Sequence, residues 1–256
     1  MGTAKLTFLG TGTSQGVPMI GCGCEVCCSN DPRDKRLRAS VFVEYEGLKI
    51  LVDAGPDFRQ QMLREGISSV DAILLTHNHK DHTGGLDDIR AFNYFEKKAT
   101  QIYCEKYVED SLRMEFSYAF AEIRYPGAPE WHVHNIDDKP FEINGVKIIP
   151  IRGKHFNLPV LGYRFGNIAY CTDMNRIPEE EFEKLKGLDH FIINCVRRGR
   201  HISHFGLEQA IEVARKVGAK QSWLTHLSHQ LPCYEDLVKE MPEGILPAYD
   251  GLQIGD

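Results

Sequence analysis

The chain has 256 residues, a formal net charge of −6, 42% apolar residues and 26% charged residues. That length and mixture suit one globular domain, spanning 1–256, and no apolar run approaches the length that crosses a bilayer, so no membrane role is expected. The negative balance repels long polyanions, which argues against nucleic acid as a partner and leaves room for a small anionic substrate. The first residues, Met1-Gly2-Thr3-Ala4-Lys5-Leu6-Thr7, lack a charged and then long apolar secretory pattern, so a cytoplasmic location is expected. The eight cysteines should then be reduced, serving as metal ligands or small buried groups.

Leu6 to Leu9 reads as a strand followed by the glycine-rich turn Gly10-Thr11-Gly12-Thr13-Ser14-Gln15-Gly16. A dinucleotide fingerprint would need glycine where Gln15 stands, and a Walker loop would need Gly-Lys-Ser/Thr, so neither nucleotide motif is present. The glycines fit a backbone that passes close beneath a site and could touch an anion. Next, Gly21-Cys22-Gly23-Cys24-Glu25-Val26-Cys27-Cys28 concentrates four thiols in a short loop, a shell suited to one tetrahedral Zn²⁺. No thioredoxin-like strand and helix surround Cys24-x-x-Cys27, so a zinc knuckle at about 21–28 is preferred to a redox motif. Cys28 could be the fourth ligand, but adjacent thiols rarely reach one ion together, and a distant histidine is the better candidate.

Ser40 to Tyr45 and Lys49 to Val52 alternate as a hairpin across Glu46-Gly47, ending in Asp53-Ala54-Gly55. Asp53 fits either a carboxylate that orients a ligand imidazole or a helix N-terminal cap. Asp57 to Glu65 reads as a helix with Phe58, Met62 and Leu63 inward. Ala72 to Leu75 is then a buried strand that runs into Thr76-His77-Asn78-His79-Lys80-Asp81-His82-Thr83-Gly84-Gly85. Alternation in an extended segment lets His77 and His79 face one cation while Asp81 and His82 reach a second. From Leu86 to Tyr125 the chain is aromatic, with helical spacing in Val108, Leu112, Glu115, Phe116 and Ala119. Packing is the default role of these rings, although some, with His132 and His134, could line a substrate lid.

Val146 to Ile151 and Leu161 to Phe165 are strand-like, and His155 follows the first of them as a candidate for the missing third imidazole. Ile168 to Asp173 ends a further strand in a carboxylate able to bridge two cations. Glu179 to Lys186 reads as a helix and Phe191 to Asn194 as a buried strand. The basic cluster Arg197, Arg198 and Arg200 runs into His201-Ile202-Ser203-His204 and is a candidate phosphate contact. Leu207, Ala210, Ile211, Ala214 and Val217 keep helical spacing up to Gly218. Ser222 to Thr225 is a strand followed by His226, a candidate ligand of the two-metal site, and His229 is then the natural fourth ligand of the knuckle. Leu237 to Asp256 contains a short helix and a strand.

With His77-x-His79-x-Asp81-His82, then His155, Asp173 and His226 in this order, the chain resembles the metallo-β-lactamase superfamily over nearly its whole length. The resemblance implies an α/β, four-layer αββα metallo-β-lactamase sandwich with both metals at one edge of two sheets. The segments Leu6-Thr7-Phe8-Leu9-Gly10-Thr11-Gly12 and His204-Phe205-Gly206-Leu207-Glu208-Gln209-Ala210 are similar to the phosphodiesterase branch. Cys22, Cys24 and Cys27 with Thr225-His226-Leu227-Ser228-His229 resemble the cyclic phosphodiesterases of the bacterial carbon–phosphorus lyase pathway. By this resemblance His77, His79 and His155 hold one divalent ion, Asp81, His82 and His226 the other, and Asp173 bridges. The ions would be Zn, Mn or Fe, beside one structural Zn. A hydroxide between them, with Asp81 and His204 as catalytic groups and His204 as proton donor or phosphate ligand, would hydrolyse a small phosphate diester. The alternatives are a thioester or lactone hydrolase, a tRNA 3′-processing endonuclease, or a metal-binding protein without turnover. No basic tRNA-binding arm is visible, and a homodimer is compatible with the sequence.

Overall fold

Val41, Val43, Ile50 and Val52 lie on one side of their strands and Phe42 and Leu51 on the other, and all are buried. Strands of this kind need cover on both faces, which a stack of sheets and helices provides. In the computed structural model, which describes residues 2–123 and 125–255, they belong to the first of two seven-stranded sheets. That sheet comprises β1 (Ala4–Gly10), β2 (Ser40–Tyr45), β3 (Leu48–Val52), β4 (Ala72–Leu74), β5 (Thr100–Cys104) and β6 (Trp131–Asn135), with the last strand of the chain, Gln253–Ile254, on the β1 edge. The second contains β7 (Phe141–Ile143), β8 (Val146–His155), β9 (Leu158–Phe165), β10 (Ile168–Cys171), β11 (His190–Asn194), β12 (Gln221–Thr225) and β13 (Ile245–Pro247) in sequential order.

Each sheet starts as an antiparallel meander and continues as parallel strands. The first switches from antiparallel to parallel pairing at β3–β4, and the second at β10–β11. Leu6, Phe8, Val43, Leu74, Leu161, Tyr163, Phe165 and Tyr170 form the core between the sheets. On the outer face of the first sheet, α2 (Phe58–Glu65), α4 (Arg90–Glu96) and α5 (Lys106–Glu115) cover Leu51, Ile73 and Ile102. On the second, α6 (Leu207–Val217) and α7 (Tyr234–Glu240) cover Phe191, Ile193 and Leu224. The short α1 (Glu25–Cys28) and α3 (Lys80–Thr83) lie in the two cysteine- and histidine-bearing loops. The result is the αββα sandwich. Among the described residues, no helix is long and apolar enough to cross a membrane.

Several local expectations are corrected. Leu63 is 65% exposed, because the buried face of α2 is set by Phe58, Gln61 and Met62 and Leu63 lies a further helical step away. Gln61 occupies the inward position by donating from Nε2 to the Arg38 carbonyl at 2.9 Å. Glu179–Leu185 is a 3₁₀ rather than an α-helix, and the Arg164 guanidinium binds the Lys184 and Lys186 carbonyls at its end. α5 ends at Glu115, so Phe116 and Ala119 are buried from a following 3₁₀ turn. β9 begins at Leu158, three residues before the apolar run, and the tail adds two short strands rather than one.

Candidate metal centre

The donors converge because they follow strand ends on one rim. Asp53 comes after β3, the His77–His82 segment after β4, His155 closes β8, Asp173 follows β10 and His226 follows β12. Carboxyl ends of parallel strands are where α/β sheets collect ligands. Asp53, Asp173 and His226 all hold a left-handed backbone, at φ of 64°, 57° and 55°, a conformation that costs energy away from glycine.

The segment after β4 departs from the extended expectation. His79 is extended, but Asp81 and His82 occupy the helical turn α3, which swings both side chains to the same point. Residues 53–55 clamp this turn: Ala54 N–H donates to the His82 carbonyl at 2.8 Å, and Gly85 N–H to Ala54 at 2.9 Å. A Cβ on Gly55 would stand 2.0 Å from the Asp81 carbonyl, so only glycine permits the approach.

Asp81, His82, Asp173 and His226 place one donor atom each within 4.8 Å of one another, and His155, Asp173 and His204 form a second such group. Asp173 is common to both. Its Oδ2 lies 3.2 Å from His82 Nε2, and its Oδ1 lies 3.1 Å from His226 Nε2 and 3.7 Å from His204 Nδ1. His82 Nε2 is also 3.2 Å from Asp81 Oδ2. The His77 and His79 rings lie 5.6 and 4.9 Å from that of His155, beside the second group, where His204 also stands at 4.5 Å. His77 and His79, expected to share an ion with His155, stand beside it by ring packing, while the donor group around His155 contains Asp173 and His204.

Hydrogen bonds turn the rings. His82 Nδ1 is 2.6 Å from Asp53 Oδ2, and Thr76 donates to Asp53 from its N–H and its hydroxyl. With that hydroxyl proton spent, His77 Nδ1–H donates to Thr76 Oγ1 at 2.9 Å, and His155 Nδ1–H donates to the Asp173 carbonyl at 3.1 Å. Asp53 thus contacts His82 and Thr76, and the N-terminal cap position of α2 is held by Asp57. His77 Nε2, His82 Nε2 and both His226 nitrogens are left buried without a hydrogen-bond partner.

These observations test the fit of a divalent ion. Donors about 2.0–2.1 Å from a tetrahedral ion stand about 3.3 Å apart, close to the carboxylate–imidazole separations above. Charge agrees. Burial opposes the cationic form of His82, yet Asp173, Asp81 and Asp53 outweigh it and hold its pKa well above the usual range. Burial likewise opposes ionisation of Asp173, and His226 and His82 overcome it and hold the carboxyl well below its ordinary value. The carboxylates call for positive charge, which the His82 proton meets here and a divalent ion would meet on displacing it, while burial keeps His77 neutral with a lone pair to offer.

Burial and the neighbouring His226 pull His204 down to about 3, so the free ring is neutral at pH 7. Beside it a cleft of about 200 Å³ is lined by Ser14, Gln15, Arg197, His201 and His204. Of the three candidate arginines Arg197 faces this cleft. Arg198 is engaged by Glu240, and the Arg200 carbonyl accepts from Arg197 at 3.0 Å. His132 and His134 are exposed on β6, at the edge of the first sheet, where His134 stacks on Tyr103. Both alternate with Trp131 and Val133, which face the helices with Phe92, Phe116 and Phe120, so they lie on the opposite face of β6 from the helices, and the ring beside the centre is Phe156.

A third donor group joins Cys22, Cys24, Cys27 and His229 within 4.8 Å. Cys22 Sγ and Cys24 Sγ are 3.3 and 3.4 Å from His229 Nδ1. Cys28 is exposed and lies outside the group, whose fourth member is His229. The Cys27 N–H and His229 lower the Cys24 thiol to about 6, whereas burial raises Cys27 to about 11. Sequence periodicity does not single out the groups that brace these loops. Thr76 is one. Asn194 brackets Met174 with two hydrogen bonds of 2.8 and 2.9 Å, and Asp250 accepts from Thr11 and Leu37.

The beta-lactamase superfamily domain model matches residues 49–227. A Porphyromonas gingivalis protein named octanoyltransferase is 44% identical over 97% of this chain, which spans about half (51%) of that relative's length. The crystal structure of a diphosphatase from the PhnP family superposes with a TM-score of 0.93 at 41% identity, covering 99% of this chain and 97% of that one. Zinc-bound PqqB from Methylobacterium extorquens, at 20% identity, shares the fold with a TM-score of 0.76 over 98% and 99% of the two chains.

Proposed function

Because the chain belongs to the metallo-β-lactamase superfamily, we propose that its metal-dependent hydrolysis is directed at small phosphate diesters, cyclic ones included. The observation that carries this reading is the 41% identity, over 99% of the chain, to a diphosphatase of the PhnP family. Two divalent ions bound among these donors, Zn, Mn or Fe, would supply the Lewis acidity that ionises water and neutralises phosphoryl oxygens. His77, His79 and His155 would hold one, and Asp81, His82 and His226 the other. Asp173 would serve both through its separate oxygens, as its split contacts to His82 and His226 support.

The chain's own groups do the rest. Asp53 fixes His82 in one tautomer and orientation. His204, neutral when free, offers a hydrogen bond to a phosphoryl oxygen. An anionic diester beside it would raise its pKa and let it protonate a leaving alkoxide. Arg197 adds a cation to the same cleft. A structural zinc on Cys22, Cys24, Cys27 and His229 is part of the proposal, supported by donor separations of 3.3 and 3.4 Å. So is a reducing, cytoplasmic setting, consistent with eight unpaired cysteines.

The test is turnover of metal-loaded protein on bis-p-nitrophenyl phosphate, a cyclic nucleotide and an acyl thioester. Metal-dependent cleavage of the diesters is expected. The octanoyltransferase name attaches to a protein about twice as long, and thioester cleavage without diester cleavage would replace the proposal with an acyl-ester reading.

A further inference from the structure

β11 ends in Asn194, a wholly buried amide that closes a run of wholly buried apolar side chains, Phe191, Ile192 and Ile193. Burying an amide costs free energy unless both of its ends are bonded, and an aliphatic residue would continue the run without that cost. Both ends of Asn194 go to one residue. Its Oδ1 accepts from Met174 N–H at 2.8 Å, and its Nδ2 donates to the Met174 carbonyl at 2.9 Å. The backbone ladder between β10 and β11 stops at Cys171 and Ile193, so the Asn194 side chain takes up the pairing where the main chain leaves off.

The residue so held follows Asp173, the member common to both donor groups of the centre. Asp173 has a left-handed backbone, at φ of 57°, and such a conformation persists where its surroundings impose it. Asn194 imposes it from the downstream side, because it fixes the peptide groups before and after Met174, and the first of these joins Met174 to Asp173. The same Met174 carbonyl accepts from Phe205 N–H at 2.7 Å, and Phe205 follows His204. One carbonyl therefore ties the Asp173 turn, the end of β11 and the His204 segment together. At that junction His204 Nδ1 is buried without a hydrogen-bond partner, 3.7 Å from Asp173 Oδ1.

We propose that Asn194 is a positioning residue, whose grip on Met174 holds the Asp173 carboxylate between two ion positions and keeps His204 beside it. This rests on the two-ion reading above and names what keeps the shared ligand in place. Without the amide the Asp173 turn is free to relax to negative φ. That would swing the carboxylate away from His82 or His226 and leave the two ions without a common ligand.

The test loads the native protein, Asn194→Leu and Asn194→Asp with Mn²⁺, and reads electron paramagnetic resonance together with affinity by chelator competition. Two Mn²⁺ ions that share a carboxylate are spin-coupled, whereas separated ions give the spectrum of isolated Mn²⁺. The native protein should show the coupled spectrum. Asn194→Leu should show isolated ions and bind the second ion about tenfold or more weakly. Asn194→Asp keeps the shape and the acceptor but loses the Nδ2 donor, so it should fall between, and it carries the comparison should the leucine variant not fold. Native coupling and native second-ion affinity in the variants, even with a lowered melting temperature, would leave Asn194 a stabiliser of the fold alone and overturn the proposal. A native protein that takes up a single ion would refute the two-ion reading instead. The affinity for that one ion, weakened or equal in the variants, then decides whether Asn194 positions Asp173.

Discussion

Asp53 shows how one side chain sets the behaviour of others. Burial raises its pKa, while His82 and Thr76 favour its charged form, and its Oδ2 lies 2.6 Å from His82 Nδ1. Removing the negative charge by Asp53→Asn should weaken metal binding by about 10–100-fold, read by competition with a chromophoric chelator. Native-like affinity would deny Asp53 that role. Asp250 belongs to neither donor group, and burial raises its carboxyl to about 6 from 3.8. A raised folded-state pKa means that the folded chain holds the proton more tightly. The stabilisation is complete below about pH 4 and is lost as pH rises through about 6, amounting to roughly 3 kcal/mol at most. Asp250→Asn should therefore flatten the slope of melting temperature against pH between 4 and 6, and an unaltered slope would contradict this. The convergence of candidate donors was legible in the sequence because imidazoles and carboxylates recur there just past apolar strand runs. Asp250 and Thr76 were not, because they act by hydrogen bonds to backbone and neighbours that no spacing encodes.

The turn α3 exists because of what presses on it. Four residues form no stable helix alone, and the hydrogen bonds donated by Ala54 N–H to His82 and by Gly85 N–H to Ala54 hold the turn in place. Gly55→Ala would force its methyl against the Asp81 carbonyl. A loss of about 1–3 kcal/mol in denaturant titration is expected, with weakened metal binding. Equal stability would mean that the clamp yields freely. For the cysteine loop, His229→Ala should release about one zinc per chain, as measured by elemental analysis, while full retention would return the fourth position to another donor. The strand that delivers His77 was readable from its apolar run. The helical fold of the next residues was not, since it depends on a segment more than 20 positions earlier in the chain.

Across the whole molecule, the two sheets contribute unequally to the centre. Asp53 and the His77–His82 segment come from the first, and His155, Asp173 and His226 from the second. Ions bound between them should resist sheet separation, so stripping metal should lower the melting temperature and restoring it should recover the loss with ion concentration. Calorimetry at graded Zn²⁺ or Mn²⁺ tests this, and a melting temperature indifferent to metal would refute it. The layer arrangement was reachable through the motif likeness, whereas the order of strands and their parallel pairing follow from long-range packing. One connection has a practical consequence. His226 and His229 sit three positions apart on a loop that is pinned by the Leu227 N–H to the Thr11 carbonyl at 2.7 Å. A chelator that empties only the cysteine cluster would slacken this shared tether, so turnover should fall while the inner ion pair is still in place.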